Sequence, residues 1–142
     1  MTKLPLLLLP VLVACATTVS VPAGSVAPAG IAAGTYTTTI AASDLPASAP
    51  AEMRSALVGT WEMIVDGSGR ALVSFNGRQV VDTPYQVNGS EISFGTDTGE
   101  YACNSPARYT WRMAGGQLFF TRIEDSCQGR VVALTTHPWT RR

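Results

Sequence analysis

Short runs of alternating apolar and polar residues make up most of the chain after residue 34. In the run at 59–66, the apolar residues Trp61, Met63 and Val65 recur at every second position. Because successive side chains of a strand point to opposite sides, this alternation predicts a strand with one buried face. The runs that predict strands are 35–41, 59–66, 71–76, 79–87, 91–95, 100–103, 108–114, 117–123 and 130–136.

Turn signals separate these runs at intervals of about eight to twelve residues, a spacing typical of antiparallel sandwiches and barrels. The Asn-Gly pairs at 76–77 and 88–89 are examples. Segment 50–57 predicts the one helix, with Pro50 at its first position and Glu52 near its positively polarised N-terminal end. The chain is therefore expected to form an all-β domain with one short N-terminal helix.

The first apolar run has a different pattern. Residues 4–13 are apolar without interruption and follow the single charge of Lys3, as in the n-region and h-region of a secretory signal peptide. The run is shorter than the roughly 20 apolar residues of a membrane-spanning helix. Pro5 and Pro10 would each also remove a helical hydrogen bond. This pattern predicts export from the cytoplasm.

The end of this run, Leu12-Val13-Ala14-Cys15, resembles the lipobox of bacterial lipoproteins. The resemblance implies that residues 1–14 are a cleaved signal peptide and that Cys15 carries two acyl chains, usually with a third on its amine. Two chains are enough for stable anchoring in a membrane. The protein would then lie at the cell envelope, on the outer membrane facing the periplasm or on the outer face of the plasma membrane. The alternative is an ordinary signal peptide cut elsewhere.

Lipidation of Cys15 would leave Cys103 and Cys127 as the remaining cysteines. An even pair in an oxidising compartment predicts a disulfide. A structural zinc site would need four donors, and His137 is the single histidine of the chain. We therefore expect no metal and no other cofactor.

Residues 16–34 are rich in Ala, Gly, Pro, Ser, Thr and Val, and no charged residue occurs between Lys3 and Asp44. They show no helical or strand period, which predicts a flexible tether that begins at the lipidated Cys15. Residues 35–142 remain, and their length fits one domain.

The motif Gly59-Thr60-Trp61 stands at the start of a long predicted strand and resembles the opening motif of the lipocalin and wider calycin families. The resemblance implies a small antiparallel up-and-down β-barrel of about eight strands. It also implies that Trp61 plugs the barrel floor beneath an arginine from near the last strand, since a guanidinium can stack on an indole. Arg141 is the preferred candidate, with Arg142 and Arg130 as alternatives.

A lipocalin-like barrel is expected to bind a small apolar ligand, although eight strands enclose an interior that side chains alone can also fill. The same inward-facing apolar side chains are therefore candidates either for the core or for a ligand site. These candidates are Met63, Phe75, Tyr85, Phe94, Tyr109, Trp111, Met113 and Phe120. An apolar void of roughly 300 Å³ or more would favour binding over a packed core.

The alternative function is a non-enzymatic interaction module with a protein partner, either a structural component of the envelope or a protease inhibitor. Small periplasmic metalloprotease inhibitors share an eight-stranded barrel with a disulfide and an opening tryptophan. In those proteins an exposed N-terminal arm inhibits the protease. A lipid on Cys15 would block such an arm, so the inhibitor ranks lower.

Catalysis and nucleic-acid binding find no support in the residues. The chain has no Gly-x-Ser-x-Gly nucleophile motif, and Glu124 and Asp125 do not form the convergent pair that acid–base chemistry needs. The net charge is zero and no basic cluster exceeds the terminal Arg141-Arg142 pair, so nucleic-acid binding lacks an electrostatic basis. We expect no catalytic residues.

Overall fold

The computed structural model describes residues 30–142, which form a closed antiparallel barrel of eight strands. Each strand pairs with its neighbours in sequence, and the last strand closes onto the first. The predicted up-and-down barrel is thus confirmed. The strands are β1 Gly34–Ile40, β2 Gly59–Val65, β3 Arg70–Phe75, β4 Arg78–Asn88, β5 Glu91–Phe94, β6 Ala107–Ala114, β7 Gln117–Glu124 and β8 Trp139–Arg141.

Alternation along the strands fills the barrel interior as expected. Trp61, Met63 and Val65 all point inward from β2 and are buried. On β7, Phe120 faces inward, whereas Phe119 lies outside, with the Arg112 guanidinium 3.7 Å from its ring centroid. The core is therefore one continuous cluster inside the barrel.

Two of the predicted strands are wrong. Residues 100–103 lie in the loop between β5 and β6, and residues 130–136 belong largely to helix α2, Gln128–Thr135. Val131 and Val132 favour a strand locally, but in the helix Ala133 and Leu134 are buried. Burial of one helical face thus overrides local propensity. The last strand, β8, has only three residues, and the alternation pattern did not predict it.

The predicted N-terminal helix is confirmed as α1, Ala51–Leu57, which follows a short 3-10 helix at Ala42–Asp44. Pro50 is the N-cap of α1 and not its first helical residue. Its extended backbone turns the chain into the helix, and its missing N–H costs nothing because the first turn has free donors anyway.

The packed structure begins before residue 35, earlier than the predicted end of the tether. Ile31 is buried in the core, and the Tyr36 hydroxyl donates a hydrogen bond to the Ala32 carbonyl over 2.7 Å. The predicted signal peptide, Cys15 and most of the predicted tether lie outside the described residues.

The two ends of the barrel have different connections. At one end, which we call the sealed end, short turns at 66–69, 89–90 and 115–116 join successive strands. At the other, which we call the cavity end, three long connections run over 41–58, 95–106 and 125–138, beside one short turn at 76–77. The described residues contain no helix with the length and apolar character to cross a bilayer.

Candidate functional site

A cavity of about 440 Å³ lies at the cavity end, between the barrel and helices α1 and α2. Most of the side chains around it are apolar or aromatic, and two are charged. The lining residues are Glu52, Met53, Ala56, Leu57, Trp61, Val73, Val81, Tyr101, Ala102, Cys127, Gly129, Arg130, Ala133, Leu134 and Trp139.

The two helices form the outer wall of this cavity. Leu57 of α1 and Leu134 of α2 are both buried against the barrel. The Trp61 indole N–H donates a hydrogen bond to the Leu57 carbonyl over 2.9 Å, which satisfies a carbonyl at the end of α1. Helix α1 is thereby joined to the first residues of β2, and the cavity stays open beneath it.

Aromatic rings form the inner wall. The ring of Trp61 lies 6.2 Å from that of Tyr101, centroid to centroid, and packs at 4.8 Å on the ring of Phe75, which lies behind the wall in the barrel core. Tilted aromatic pairs at such distances attract one another. Trp139 of β8 completes this wall, fully buried, with no hydrogen-bond partner for its indole N–H among residues 30–142.

A buried charge network borders the cavity through Arg130 of α2. The guanidinium binds the Asp125 carboxylate with two hydrogen bonds of 2.7 and 2.9 Å. It also donates to the Asp97 carboxylate at 3.3 Å and to the Ser105 carbonyl at 2.9 Å. The Tyr109 hydroxyl donates to Asp125 from inside the barrel. Two carboxylates therefore hold one guanidinium in a fixed position.

The network shifts the pKa of its members. Burial of the Asp125 carboxyl raises its pKa, but hydrogen bonds from Arg130, Tyr109 and the Cys127 N–H outweigh burial and leave the pKa below its usual value. Burial, followed by the hydrogen bond to Asp125, raises the pKa of the Tyr109 phenol far above its usual value. Asp125 and Arg130 are therefore both charged, and Tyr109 is neutral, around pH 7.

The predicted disulfide between Cys103 and Cys127 is confirmed, with 24 residues of sequence separation. It joins the loop at 95–106 to the residue that precedes α2. Asp97 accepts hydrogen bonds from the backbone N–H groups of Cys103 and Asn104, at 2.9 and 2.8 Å. The disulfide thus holds together the two segments that supply Asp97 and Arg130.

The predicted floor motif is placed only in part as expected. Gly59 and Trp61 lie at the cavity end, where a Cβ on Gly59 would come within 2.8 Å of the side chains of Phe75 and Asn76. Arg141 does not lie over Trp61, because β8 runs away from the cavity end. The Arg141 guanidinium instead donates a hydrogen bond to the Ala33 carbonyl at the sealed end. Arg130 is the arginine that borders the same cavity as Trp61.

Arg142, the other alternative, lies outside the barrel, where it pairs with Glu62 at 3.6 Å. The lone histidine, His137, is also a surface residue and lies 2.9 Å from the Asp44 carboxylate. Neither side chain reaches the cavity.

The eight residues predicted as ligand lining do not border this cavity. They are buried or half-buried inside the barrel and pack against one another; for example, the rings of Phe94, Tyr109 and Phe120 lie 6.0 to 6.2 Å apart. The others, Met63, Phe75, Tyr85, Trp111 and Met113, belong to or pack against the same core. The interior of this narrow barrel is filled by side chains, and the space lies at its end.

Sequence reasoning missed the Arg130 network altogether. A usable signal existed, because Asp125 and Arg130 flank Cys127 closely in a chain with few charges. Once the disulfide brings Cys103 and Cys127 together, charged neighbours on both sides of it must either reach water or pair.

Comparison with protein-family models, with curated proteins and with solved structures gives no match to this chain. Among residues 30–142, no three His, Cys, Asp or Glu side chains are grouped in a way that could hold a metal ion. The geometry of the cavity and its chemistry therefore carry the functional argument.

Proposed function

We propose that this protein is a lipid-anchored lipoprotein of the cell envelope that binds a small apolar ligand in the cavity between the barrel and its two helices. The observation that carries this proposal is the cavity itself, which at about 440 Å³ falls within the range of small-molecule sites. Burial of apolar ligand surface against its apolar walls would contribute about 25 cal/mol per Å² to the free energy of binding.

The lining supports binding of an apolar molecule in a defined orientation. Trp61, Tyr101 and Trp139 offer flat aromatic surfaces, and Met53 offers a flexible side chain that adapts to shape. Arg130 is held rigidly by its carboxylate partners, so it shapes the wall without needing to move. Such preorganisation lowers the entropic cost of binding.

The lipid anchor rests on the lipobox-like residues that end at Cys15. The described chain starts at Gly30, and Ala32 and Ala33 bind Tyr36 and Arg141 at the sealed end. A membrane tether would therefore join the barrel at the sealed end, opposite the cavity.

Two substitutions on one helix test the ligand site. Ala56 borders the cavity, whereas its neighbour Ser55 is exposed and does not. Ala56→Trp is expected to fill the cavity and weaken binding of the neutral fluorescent probe N-phenyl-1-naphthylamine at least tenfold. Ser55→Trp is the control and should bind like the unaltered protein. Equal binding by both variants would exclude the cavity as the site.

The anchor has its own test. Cells that express the full chain should incorporate radiolabelled palmitate into the protein, and Cys15→Ala should abolish the label and release the protein from membrane vesicles. Unchanged labelling and sedimentation of Cys15→Ala would overturn the lipoprotein assignment.

The packed barrel interior favours a second candidate, a protein-interaction module that needs no ligand. Tyr36, Tyr109 and Leu118 are completely buried and belong to one continuous cluster of core side chains inside the barrel. If apolar probes fail to bind and organic extracts of the purified protein hold no stoichiometric small molecule, this second candidate becomes the better one.

A further inference from the structure

Glu52 is a charged residue at the cavity whose carboxylate has no ionic partner among residues 30–142. It lies in the first turn of α1, is exposed, and borders the cavity. Among residues 30–142, its carboxylate forms neither an ion pair nor a side-chain hydrogen bond. A carboxylate that is free beside an apolar cavity can serve as a counter-charge for a ligand.

The positive charge on the cavity wall is already neutralised. Arg130 forms four hydrogen bonds, three of them to the carboxylates of Asp97 and Asp125, so four of the five N–H donors of the guanidinium are occupied. An anionic ligand would therefore meet no free cation at the cavity.

The aromatic wall favours a positive ligand for a separate reason. The faces of Trp and Tyr rings carry negative electrostatic potential and attract cations, most strongly where water is excluded. Trp61, Tyr101 and Trp139 all border the cavity, and Trp61 and Trp139 are buried. A cation seated there would be close to several aromatic rings.

From this charge balance we infer that the cavity selects an apolar organic cation, such as a quaternary ammonium compound with a hydrophobic body. The inference rests on the proposed function, since it names the chemical class of the ligand for the same site. The apolar body would be buried between the helices and the barrel, the ammonium group would face the aromatic rings, and Glu52 would supply the counter-charge.

Three probes of nearly equal shape separate charge from hydrophobicity. They are trimethyl(2-naphthyl)ammonium, its neutral isostere 2-tert-butylnaphthalene, and the anion 2-naphthalenesulfonate. Affinity is measured by quenching of tryptophan fluorescence, since Trp61 and Trp139 border the cavity. We expect the cation to bind about tenfold more tightly than the neutral isostere, a typical effect of cation–π contacts in a desolvated site. The anion should bind most weakly.

Glu52→Gln keeps the side-chain shape and removes its charge. It should reduce the preference for the cation over the neutral isostere by about threefold, as for an exposed charge, and leave affinity for the neutral probe unchanged. Glu62→Gln is the matched control, because Glu62 lies on the outer face of β2 and pairs with Arg142. It should leave the preference unaltered.

The outcomes distinguish the inference from the function on which it rests. If the cation and the neutral isostere bind equally, or if the anion binds best, the cation preference is wrong while the apolar site stands. If none of the three probes binds, the proposed function itself fails. A loss of preference in both Glu52→Gln and Glu62→Gln would assign the effect to overall charge and overturn the role of Glu52.

Discussion

The sealed end and the cavity end of the barrel are built from the same eight strands, yet they bury different chemistry. At the sealed end, buried polar atoms bind backbone carbonyls: the Trp111 indole donates to Gly89 and the Tyr36 hydroxyl to Ala32. At the cavity end, Asp125 is buried as an ion and pairs with Arg130, whose side chain is only 11% exposed. Burial of ions costs several kcal/mol each and is tolerated only where the charges are paired.

The length of the connections explains this difference. The short turns at the sealed end are too short to contribute helices or further side chains, so they connect the ends of neighbouring strands directly. The long connections at the cavity end carry α1, the disulfide and α2. Site residues often lie on such connections because a rigid scaffold positions them. We therefore expect substitutions at the cavity end to change both the free energy of unfolding and the affinity for a ligand.

The largest effect is expected from Arg130→Met. It would leave the carboxylates of Asp97 and Asp125 buried without their cation, which costs about 3–5 kcal/mol in the free energy of unfolding. Urea denaturation measures the change. Arg108→Met is the control: Arg108 pairs with Glu91 on the surface, 47% exposed, and its loss should cost under about 1 kcal/mol. Equal losses of stability in the two variants would mean that the Arg130 network stabilises the fold no more than a surface ion pair does.

Loss of the disulfide is expected to come next. Replacing both Cys103 and Cys127 by Ser opens a loop with 24 residues of separation, which costs about 3.5 kcal/mol in the chain-entropy model. Hydrogen exchange should show loss of protection in 95–106 and in α2, with little change at the sealed end. Uniform loss across the barrel would contradict the division into two ends.

A tryptophan at each end provides a sharper comparison. Trp111→Phe and Trp61→Phe each remove one indole hydrogen bond to a backbone carbonyl, so each should lower the free energy of unfolding by about 1–2 kcal/mol. Only Trp61→Phe should also weaken the affinity of an apolar probe, measured by titration. Reduced affinity in Trp111→Phe would mean that the site extends through the barrel.

The smallest effects concern pH. The folded-state pKa of Asp125 is lowered, so its contribution to stability is present above the usual carboxyl pKa of about 3.9 and is lost as the pH falls through the lower folded value. The pKa of Tyr109 is raised, so its contribution is present below pH about 10 and is lost as the pH rises toward the folded value.

Tyr109→Phe should therefore flatten the alkaline decline of stability, at a cost of about 1 kcal/mol near pH 7 for the lost hydrogen bond to Asp125. Denaturation curves between pH 7 and about pH 11 measure this. At the sealed end, burial also raises the pKa of Tyr36, so Tyr36→Phe should act in the same direction. If the stability of Tyr109→Phe declined at alkaline pH as steeply as that of the unaltered protein, the raised pKa of Tyr109 would be contradicted.

The sequence by itself determined strands β1 to β7, α1 and the cysteine pair, whereas the choice of a barrel over a sandwich came from the resemblance of Gly59-Thr60-Trp61 to the lipocalin motif. Strand alternation, as at Trp61 and Met63, and turn pairs such as Asn76-Gly77 are local signals, since they depend on the backbone geometry of a few neighbouring residues. The disulfide followed from counting cysteines once the lipobox-like Cys15 had been set aside, which needs no coordinates.

The tertiary structure alone decided where the space lies and which charges surround it. Arg130 and Asp97 are 33 residues apart in sequence, so no local pattern could pair them. Helix α2 forms because its buried face packs on the barrel end, against the strand propensity of Val131 and Val132. Closure of the barrel then fills its interior with side chains and leaves the cavity between the barrel end and the helices.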